Sequence, residues 1–518
     1  MKNPVKINWL LFALVTVAIY FFALDLPLLG PDESRYSQVA REMFERGDWV
    51  TTTLGGYNWF EKPALLYWLQ ISFFNLFGVS EFSARFGSAL FGLGTALSLF
   101  ILGRSYIASR QYLLNKAAAD EPLSAIPNPE LPYWLALITA SSLGMLVFSR
   151  GASFDIILTF PIAASLVSFF IFENSERIYS KKNYLPLISF YLFIGVALIA
   201  KGLVGIVFPF AIVGFYYLLR LKFPSKTVII SLLWGTLISI AVASVWYLPM
   251  YLKNGWEFID EFFIQHHFAR YSSNKYLHPQ PFWFFWLVLP AMTIPWFPFF
   301  IASIWKLAKS VFSRKDANAQ GPEKPETKFA NRELRLFALA WILVPLVFFS
   351  LSGSKLPGYI LPSLPAACIL TAEFVSRFVN KNAVRKLALQ ILAFLMFSAV
   401  AFLLAVELPK FAKDDSVKDL IGSAVNRGYT SEKILSMQTV SHNAEFYGAG
   451  RLVRLRDGKQ RRFDAGDEIL HFMTEEKIDT VLVLLPPQFV EELGQSPRLR
   501  LEKIDENKNL VILRLRRN

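Results

Sequence analysis

The chain has 518 residues, of which 54% are hydrophobic, 16% aromatic and 18% charged, with a mean hydropathy of +0.39. A soluble protein carries about 25% charged residues, so this composition excludes an ordinary water-soluble globule and points to a chain that crosses a bilayer repeatedly. The net charge of +13 would suit a nucleic-acid binder, but the basic residues stand in short segments between apolar runs, where they act as topology signals.

A spanning helix needs about 20 predominantly apolar residues. About eleven such runs begin near Ile7, Phe82, Tyr133, Phe154, Tyr184, Leu203, Val228, Phe282, Leu336, Leu356 and Leu387. The first follows MKNPVK, is longer than a signal-peptide core and has no small-residue cleavage pattern, so it reads as a retained helix. Alternate loops carry Arg104, Arg110 and Lys116; Arg177, Lys181 and Lys182; Arg220, Lys222 and Lys226; the cluster from Lys306 to Arg335; and Arg377, Lys381, Arg385 and Lys386. With Lys2 and Lys6 these define a cytoplasmic side. The N-terminus is therefore expected inside and the C-terminus outside, and an active side would face outward, on the non-cytoplasmic face. Residues 1–408 read as the membrane domain, with a first outer loop over about 26–81, and residues 409–518 as a small soluble α/β domain. There KIDTVLVLLPP and NLVILRLRR read as strands and SVKDLIGSAVNRG as a helix. The lone cysteine, Cys368, lies in an apolar segment and allows no disulfide framework within one chain.

The outer loops carry the chemistry. In the first, PDESRYSQVAREMFERG places Pro31 at the start of a helix, where its missing N–H is harmless, and puts Asp32 and Glu33 at the positive end of the helix dipole. Tyr36, Val39, Ala40, Met43 and Phe44 share one face, while Ser37, Gln38, Arg41, Glu42 and Glu45 share the other, the pattern of an interfacial amphipathic helix. Asp32 and Glu33 serve equally well as caps or as reactive carboxylates. WFEKP follows, and Glu61 with Lys62 is either a neutralised surface pair or part of a site. Two other outer loops are very short yet hold Arg150, Asp155 and Lys201, and ionisable groups at membrane depth are costly enough to imply function. A set of Asp32, Glu33, Arg35, Glu61, Lys62, Arg150, Asp155, His266, His267, Arg270 and Lys355 would suit two tasks. Cations would hold a phosphate, and carboxylates with histidine would bind a metal, orient an acceptor or act as base.

PDESRYSQVAREM, FEKP, SFD, HHFARY and KLPGYILP, in that order through most of the membrane half, resemble the bacterial 4-amino-4-deoxy-L-arabinose lipid A transferases. These are glycosyltransferase family 83 members of the GT-C fold, in the superfamily of the protein O-mannosyltransferases. The resemblance implies about 11–13 transmembrane helices and a sugar donor carried on undecaprenyl phosphate. It implies transfer to lipid A phosphate, the modification of lipopolysaccharide that confers polymyxin resistance. By motif, Asp32 and Asp155 correspond to the paired active-site carboxylates. Lys62 and Arg270 correspond to lipid-phosphate ligands with Tyr359 nearby, and Arg35, Tyr36, Glu33, Lys355 and Arg150 join them as donor-binding residues. Glu61 with His266 or His267 corresponds to a divalent metal site of the kind that takes zinc; the family has Glu–His where this chain has Gln265, His266 and His267. No nucleotide cofactor is expected, since no dinucleotide fingerprint or phosphate-binding loop occurs.

Two other readings stand beside this one. Within the enzyme class, the sugar is a different lipid-linked one, such as galacturonate or a hexose, passed to lipopolysaccharide, polysaccharide or protein. Outside it, the chain is a lipid transporter; that class favours internal repeats and helices broken near the midplane, whereas here the ionisable residues gather at one face.

Overall fold

Each apolar run becomes a helix or a helix pair in the computed structural model, which describes residues 9–116, 128–178, 183–268, 279–312, 325–380, 382–456 and 458–518. Helix α1 (Trp9–Phe21) is followed by α2 (Pro31–Arg46), a hairpin of β1 (Thr53–Leu54) and β2 (Tyr57–Asn58), α3 (Leu65–Phe77) and the long α4 (Glu81–Lys116). Next come α5 (Leu131–Ser141), α6 (Leu143–Phe148), α7 (Phe154–Ile178), α8 (Leu185–Lys201), α9 (Val204–Arg220) and α10 (Lys226–Ile259), which runs on into a π-helical stretch, Asp260–Phe268. Then follow α11 (Phe284–Met292), α12 (Phe297–Phe312), α13 (Pro325–Ser350), a 3-10 turn over Pro357–Ser363, α14 (Leu364–Phe378) and α15 (Ala383–Phe402). Among the described residues six helices are long and apolar enough to cross a membrane, and α11 with α12 makes a further candidate bent by 119°. Five shorter apolar helices accompany them. The protein is a multi-pass membrane protein.

The chain divides into two compact units. The first comprises residues 1–22, 61–65 and 88–400. Glycine permits its tightest helix contacts: a side chain at Gly195 of α8 would strike Val242 of α10, and one at Gly235 of α10 would strike Tyr191 of α8. Polar groups in such a setting need internal partners. Accordingly the buried Trp296 donates its indole N–H to Ser141 Oγ at 2.9 Å, and Trp341 donates to the Pro362 carbonyl at 2.7 Å.

The second unit comprises residues 23–60, 66–87 and 401–518. Its later part holds α16 (Leu408–Asp415), α17 (Lys418–Asn426), α18 (Ala444–Gly448), α19 (Gly466–Glu475) and α20 (Val490–Gly494) around a five-stranded sheet. The strands are β3 (Ile434–Met437), β4 (Arg462–Phe463), β5 (Thr480–Leu485), β6 (Leu499–Glu506) and β7 (Val511–Arg517), in the order β4-β3-β5-β7-β6. β3 pairs in parallel with β4 and β5, while β7 pairs antiparallel with β5 and β6. The continuous apolar run of β5 reflects a strand covered on both faces. Val481, Val483 and Leu485 join Ile469, Phe472 and Met473 on one side, and Leu482 and Leu484 join Val417, Leu420 and Ile421 on the other.

Candidate active site

In the second unit, helix α2 begins at Gly30, whose φ of 77° no side chain tolerates easily, with Pro31 in the first turn and no side-chain cap. It ends at Gly47 in the left-handed conformation, with Gly47 N–H bonded to Phe44 O and Asp48 N–H to Met43 O. The neighbouring carboxylates at its start have separate fates. Glu33 accepts from Arg85 through both oxygens, at 3.0 and 2.8 Å, and from the Leu29 backbone N–H at 3.1 Å. Arg85 in turn donates to the carbonyls of Leu24, Leu26 and Pro27 and is almost wholly buried. Glu33 therefore pins the loop that enters α2. The Asp32 side chain is 59% exposed and its nearest cation, Arg35, stands 3.7 Å away. The Arg35 guanidinium lies over the Trp59 ring, 5.5 Å from its centroid. Tyr36 is buried, its ring 6.5 Å from that of Tyr67.

The polar side of α2 is covered as well as its apolar side. Ser37 and Gln38 are fully buried. Gln70 donates to Ser37 Oγ, and Arg41 reaches the Phe446 carbonyl and lies over the Phe446 ring. A second tie joins the same unit: Leu28 N–H donates to the Tyr447 hydroxyl at 2.8 Å, Tyr447 donates to Glu81 at 3.1 Å, and Glu81 pairs with Lys418 at 2.7 Å. His442, for which the sequence offered no motif, stands within electrostatic reach of Asp32 and Arg35. Partial burial and then the Arg35 charge hold its pKa below the ordinary imidazole value, although part of the residue remains exposed.

In the first unit, α7 starts at the short loop SRGASFD. Ser153 Oγ accepts from the Asp155 N–H at 3.2 Å, and Asp155 sits in the first turn at the positive end of the helix dipole. Its carboxylate pairs with Lys201, the last residue of α8, both side chains being about one-fifth exposed at most. Lys201 lies in turn over the Tyr359 ring, 5.1 Å from the centroid. A side chain at Gly358 would overlap Asp155 Oδ2, so the glycine in KLPGY is what lets that segment approach the carboxylate. The structure thus gathers Asp155, Lys201, Tyr359 and Gly358. In the sequence Lys201 stands out as an ionisable group at membrane depth in the three-residue loop AKG, with nothing to name its partner.

Glu61 and Lys62 form an ion pair at 2.9 Å with side chains only 10% and 11% exposed, so the pair is no loose surface contact. Arg150 donates to the carbonyls of Ile19 and Phe22 and closes the end of α1. Lys355, also buried, donates to Ser352 O at 2.6 Å and Gln280 O at 3.0 Å, bracing its own loop. Arg270 and the side chains of His266 and His267 lie outside the described residues; the backbone of the two histidines belongs to the π-helical stretch. Among the described residues no group of three or more His, Cys, Asp and Glu side chains could hold a metal ion. The described part of the expected metal site is Glu61, whose carboxylate already engages Lys62.

The many-helix membrane unit with charged groups at helix ends, followed by a sheet-bearing unit, is the architecture of a GT-C-type membrane protein. The structure superposes on ArnT from Cupriavidus metallidurans bound to undecaprenyl phosphate with a TM-score of 0.71, 20% identity, and coverage of 98% of this chain and 97% of that one. Residues 10–116 and 128–260 match the family model of dolichyl-phosphate-mannose-protein mannosyltransferase. The chain is similar to the undecaprenyl phosphate-alpha-4-amino-4-deoxy-L-arabinose arabinosyl transferases. It is 28% identical over 386 residues to the one from Wigglesworthia glossinidia brevipalpis, covering 73% of this chain and 61% of that protein. To the one from Yersinia enterocolitica it is 30% identical over 388 residues, again covering 73% and 61%. The matched part thus spans about three-fifths of the length of these relatives.

Proposed function

We propose that the chain is a glycosyltransferase moving 4-amino-4-deoxy-L-arabinose from undecaprenyl phosphate to a phosphate of lipid A, at the periplasmic face of a bacterial inner membrane. The observation that carries this reading is the partly buried Asp155 carboxylate, held by Lys201 beside Tyr359 at one end of the membrane helices. The names of the curated relatives support the choice of donor and sugar. The lysine and arginine clusters in alternate loops support the orientation.

An acceptor oxygen attacks the anomeric carbon in line with the departing group. The new C–O bond forms as the bond to the lipid phosphate breaks, and polyprenyl phosphate leaves with the bonding pair, inverting the centre. Lys62 and Arg270 stabilise charge gathering on the leaving phosphate, the kind of contribution that is commonly largest in catalysis. The Glu61 carboxylate, 2.9 Å from Lys62, holds that lysine in place. A lipid A phosphate is already ionised and needs no strong base, so Asp32 and Asp155 position the donor amino group; a hydroxyl acceptor would pass its proton to Asp32. Glu33, Arg150 and Lys355 act through the loops they brace, while Arg35, Tyr36 and Tyr359 are assigned to donor binding. A divalent metal such as zinc, if carried, would be held by Glu61 with His266 or His267 and would act as a Lewis acid on the phosphate; metal analysis of the purified wild type beside His266→Ala and His267→Ala tests this.

The match to a protein-mannosyltransferase family model favours one second reading, transfer of another lipid-linked sugar such as galacturonate or a hexose. Mass spectrometry of lipid A decides. The host supplies undecaprenyl-phosphate aminoarabinose, lacks its own transferase, and makes wild type, Asp32→Asn or Asp155→Asn to equal levels. A pentosamine-sized addition with wild type alone is expected. No addition with well-folded wild type overturns the sugar or acceptor, and full addition with both variants overturns the carboxylate roles.

A further inference from the structure

The ends of the membrane helices opposite Asp155, Lys201 and Tyr359 carry two charged clusters that the proposed reaction does not use. Helix α7 runs from Asp155 near its start to Glu173 near its end, α9 runs from beside Lys201 to Arg220, and α14 follows Tyr359 and closes with Arg377. In the first cluster Arg220 pairs with Glu173 at 2.6 Å and with Glu333 at 2.7 Å. Tyr217 donates to Glu173 at 2.7 Å and Tyr216 to Glu333 at 2.9 Å. Two carboxylates face one guanidinium, so the charge of Arg220 is neutralised within this cluster.

The second cluster does not. A cleft between α12, α13 and α14 is lined by Lys306, Arg335, Arg377 and Glu373, with Ser303 and Phe374 among its other walls. Three cations against one carboxylate leave two positive charges in excess among the described lining residues. Glu373, the most buried of the four, accepts from Arg335 at 2.7 Å through one oxygen and pairs with Arg377 through the other. Arg335 and Arg377 each bond Glu373 through Nε and Nη2, which leaves Nη1 clear of hydrogen bonds to described residues, and the exposed Lys306 extends over the Phe374 ring, 5.9 Å from its centroid. A fourth cation, the buried Arg110, stands with Arg335, Arg377 and Glu373 within electrostatic reach of Tyr106. Beside the cleft, Ile301 and Trp305 on α12 and Phe378 on α14 are exposed apolar side chains.

We propose that this cleft binds the phosphate of an anionic phospholipid in the leaflet on that side. Like charges held together need an anion to neutralise them, and planar guanidinium groups suit phosphate oxygens. Basic pockets between helices at this depth recognise anionic lipid headgroups. The exposed apolar side chains alongside favour a phosphate that arrives with acyl chains over one free in water. Lys306 and the unused Nη1 groups take the phosphate oxygens, while Glu373 holds the two arginines in place.

The test uses the purified full-length protein, stripped of lipid and titrated in detergent with phosphatidylglycerol, with phosphatidylethanolamine, or with inorganic phosphate, and read by native mass spectrometry and thermal unfolding. Wild type is expected to retain phosphatidylglycerol in preference to phosphatidylethanolamine and to melt higher with it. Lys306→Gln leaves Glu373 its two arginines and should bind about fivefold more weakly. Equal retention of the two lipids, or unaltered binding by Lys306→Gln, overturns the proposal. Stabilisation by inorganic phosphate equal to that by phosphatidylglycerol overturns the lipid as source. Wild type alone supplies an independent reading, because screening should release the lipid as salt is raised; retention insensitive to salt also refutes the site.

Discussion

Asp32 and Glu33 are adjacent in sequence and alike in chemistry, yet one faces solvent and the other is clasped by Arg85. The difference has measurable consequences. Removing one partner of a largely buried pair strands the other charge, so Glu33→Gln should cost on the order of 3 kcal/mol in unfolding measurements, whereas Asp32→Asn should cost under about 1 kcal/mol. Equal losses would refute the division of labour. His442 offers a second residue-scale measurement. Its neighbours are Arg35, Glu445 and Asp32, and its lowered pKa means that the folded protein resists the proton that the unfolded chain accepts. As pH falls through about 6.5, the unfolded state is protonated first and stability drops, levelling off below the folded pKa. The melting temperature of wild type should therefore fall more steeply than that of His442→Asn on acidification below about pH 6.5; parallel slopes would show that His442 contributes nothing to the pH dependence.

Among elements, the strongest constraint falls on the 3-10 turn over Pro357–Ser363, where Gly358 makes room for Asp155. Gly358→Ala forces the carboxylate or the turn to move, at about 1–3 kcal/mol of stability. Lipid A addition should be lost while the protein still folds; full activity would show that the close approach is dispensable. Much at this scale was legible in the sequence. The apolar runs became helices, KIDTVLVLLPP became β5, and SVKDLIGSAVNRG became α17, because burial on both faces and 3.6-residue spacing leave direct marks in local composition. Lys201 was not assigned a role, because its partner Asp155 lies 46 residues away and nothing local records a pairing between two helix ends. The role of Gly358 was equally hidden, since an ordinary turn asks for the same residue. Arg150 stands out as a charge at membrane depth and Lys355 as one of the outer-face cations, but their bonds go to backbone carbonyls, which carry no signature in side-chain sequence.

Across the whole molecule, charge is sorted by helix end: Asp155 and Lys201 at one, the Arg220 and Arg377 clusters at the other. The sequence displayed this sorting through its alternating loops. The membership of the second unit was less visible, since the first outer loop reads as an appendage of the membrane helices, whereas residues 23–60 and 66–87 fold with residues 401–518. That arrangement imposes a schedule on biosynthesis. Leu28 bonds to Tyr447, 419 residues downstream, and Tyr447 to Glu81, 366 residues back. At about 5–20 residues per second, Leu28 waits roughly 20–80 s on the ribosome before its partner is even translated. Through that interval the PDESRY segment is already made but lacks its packing against α18, which emerges after all the membrane helices. The chain therefore has a built-in delay between inserting its membrane helices and finishing the loop that carries Asp32.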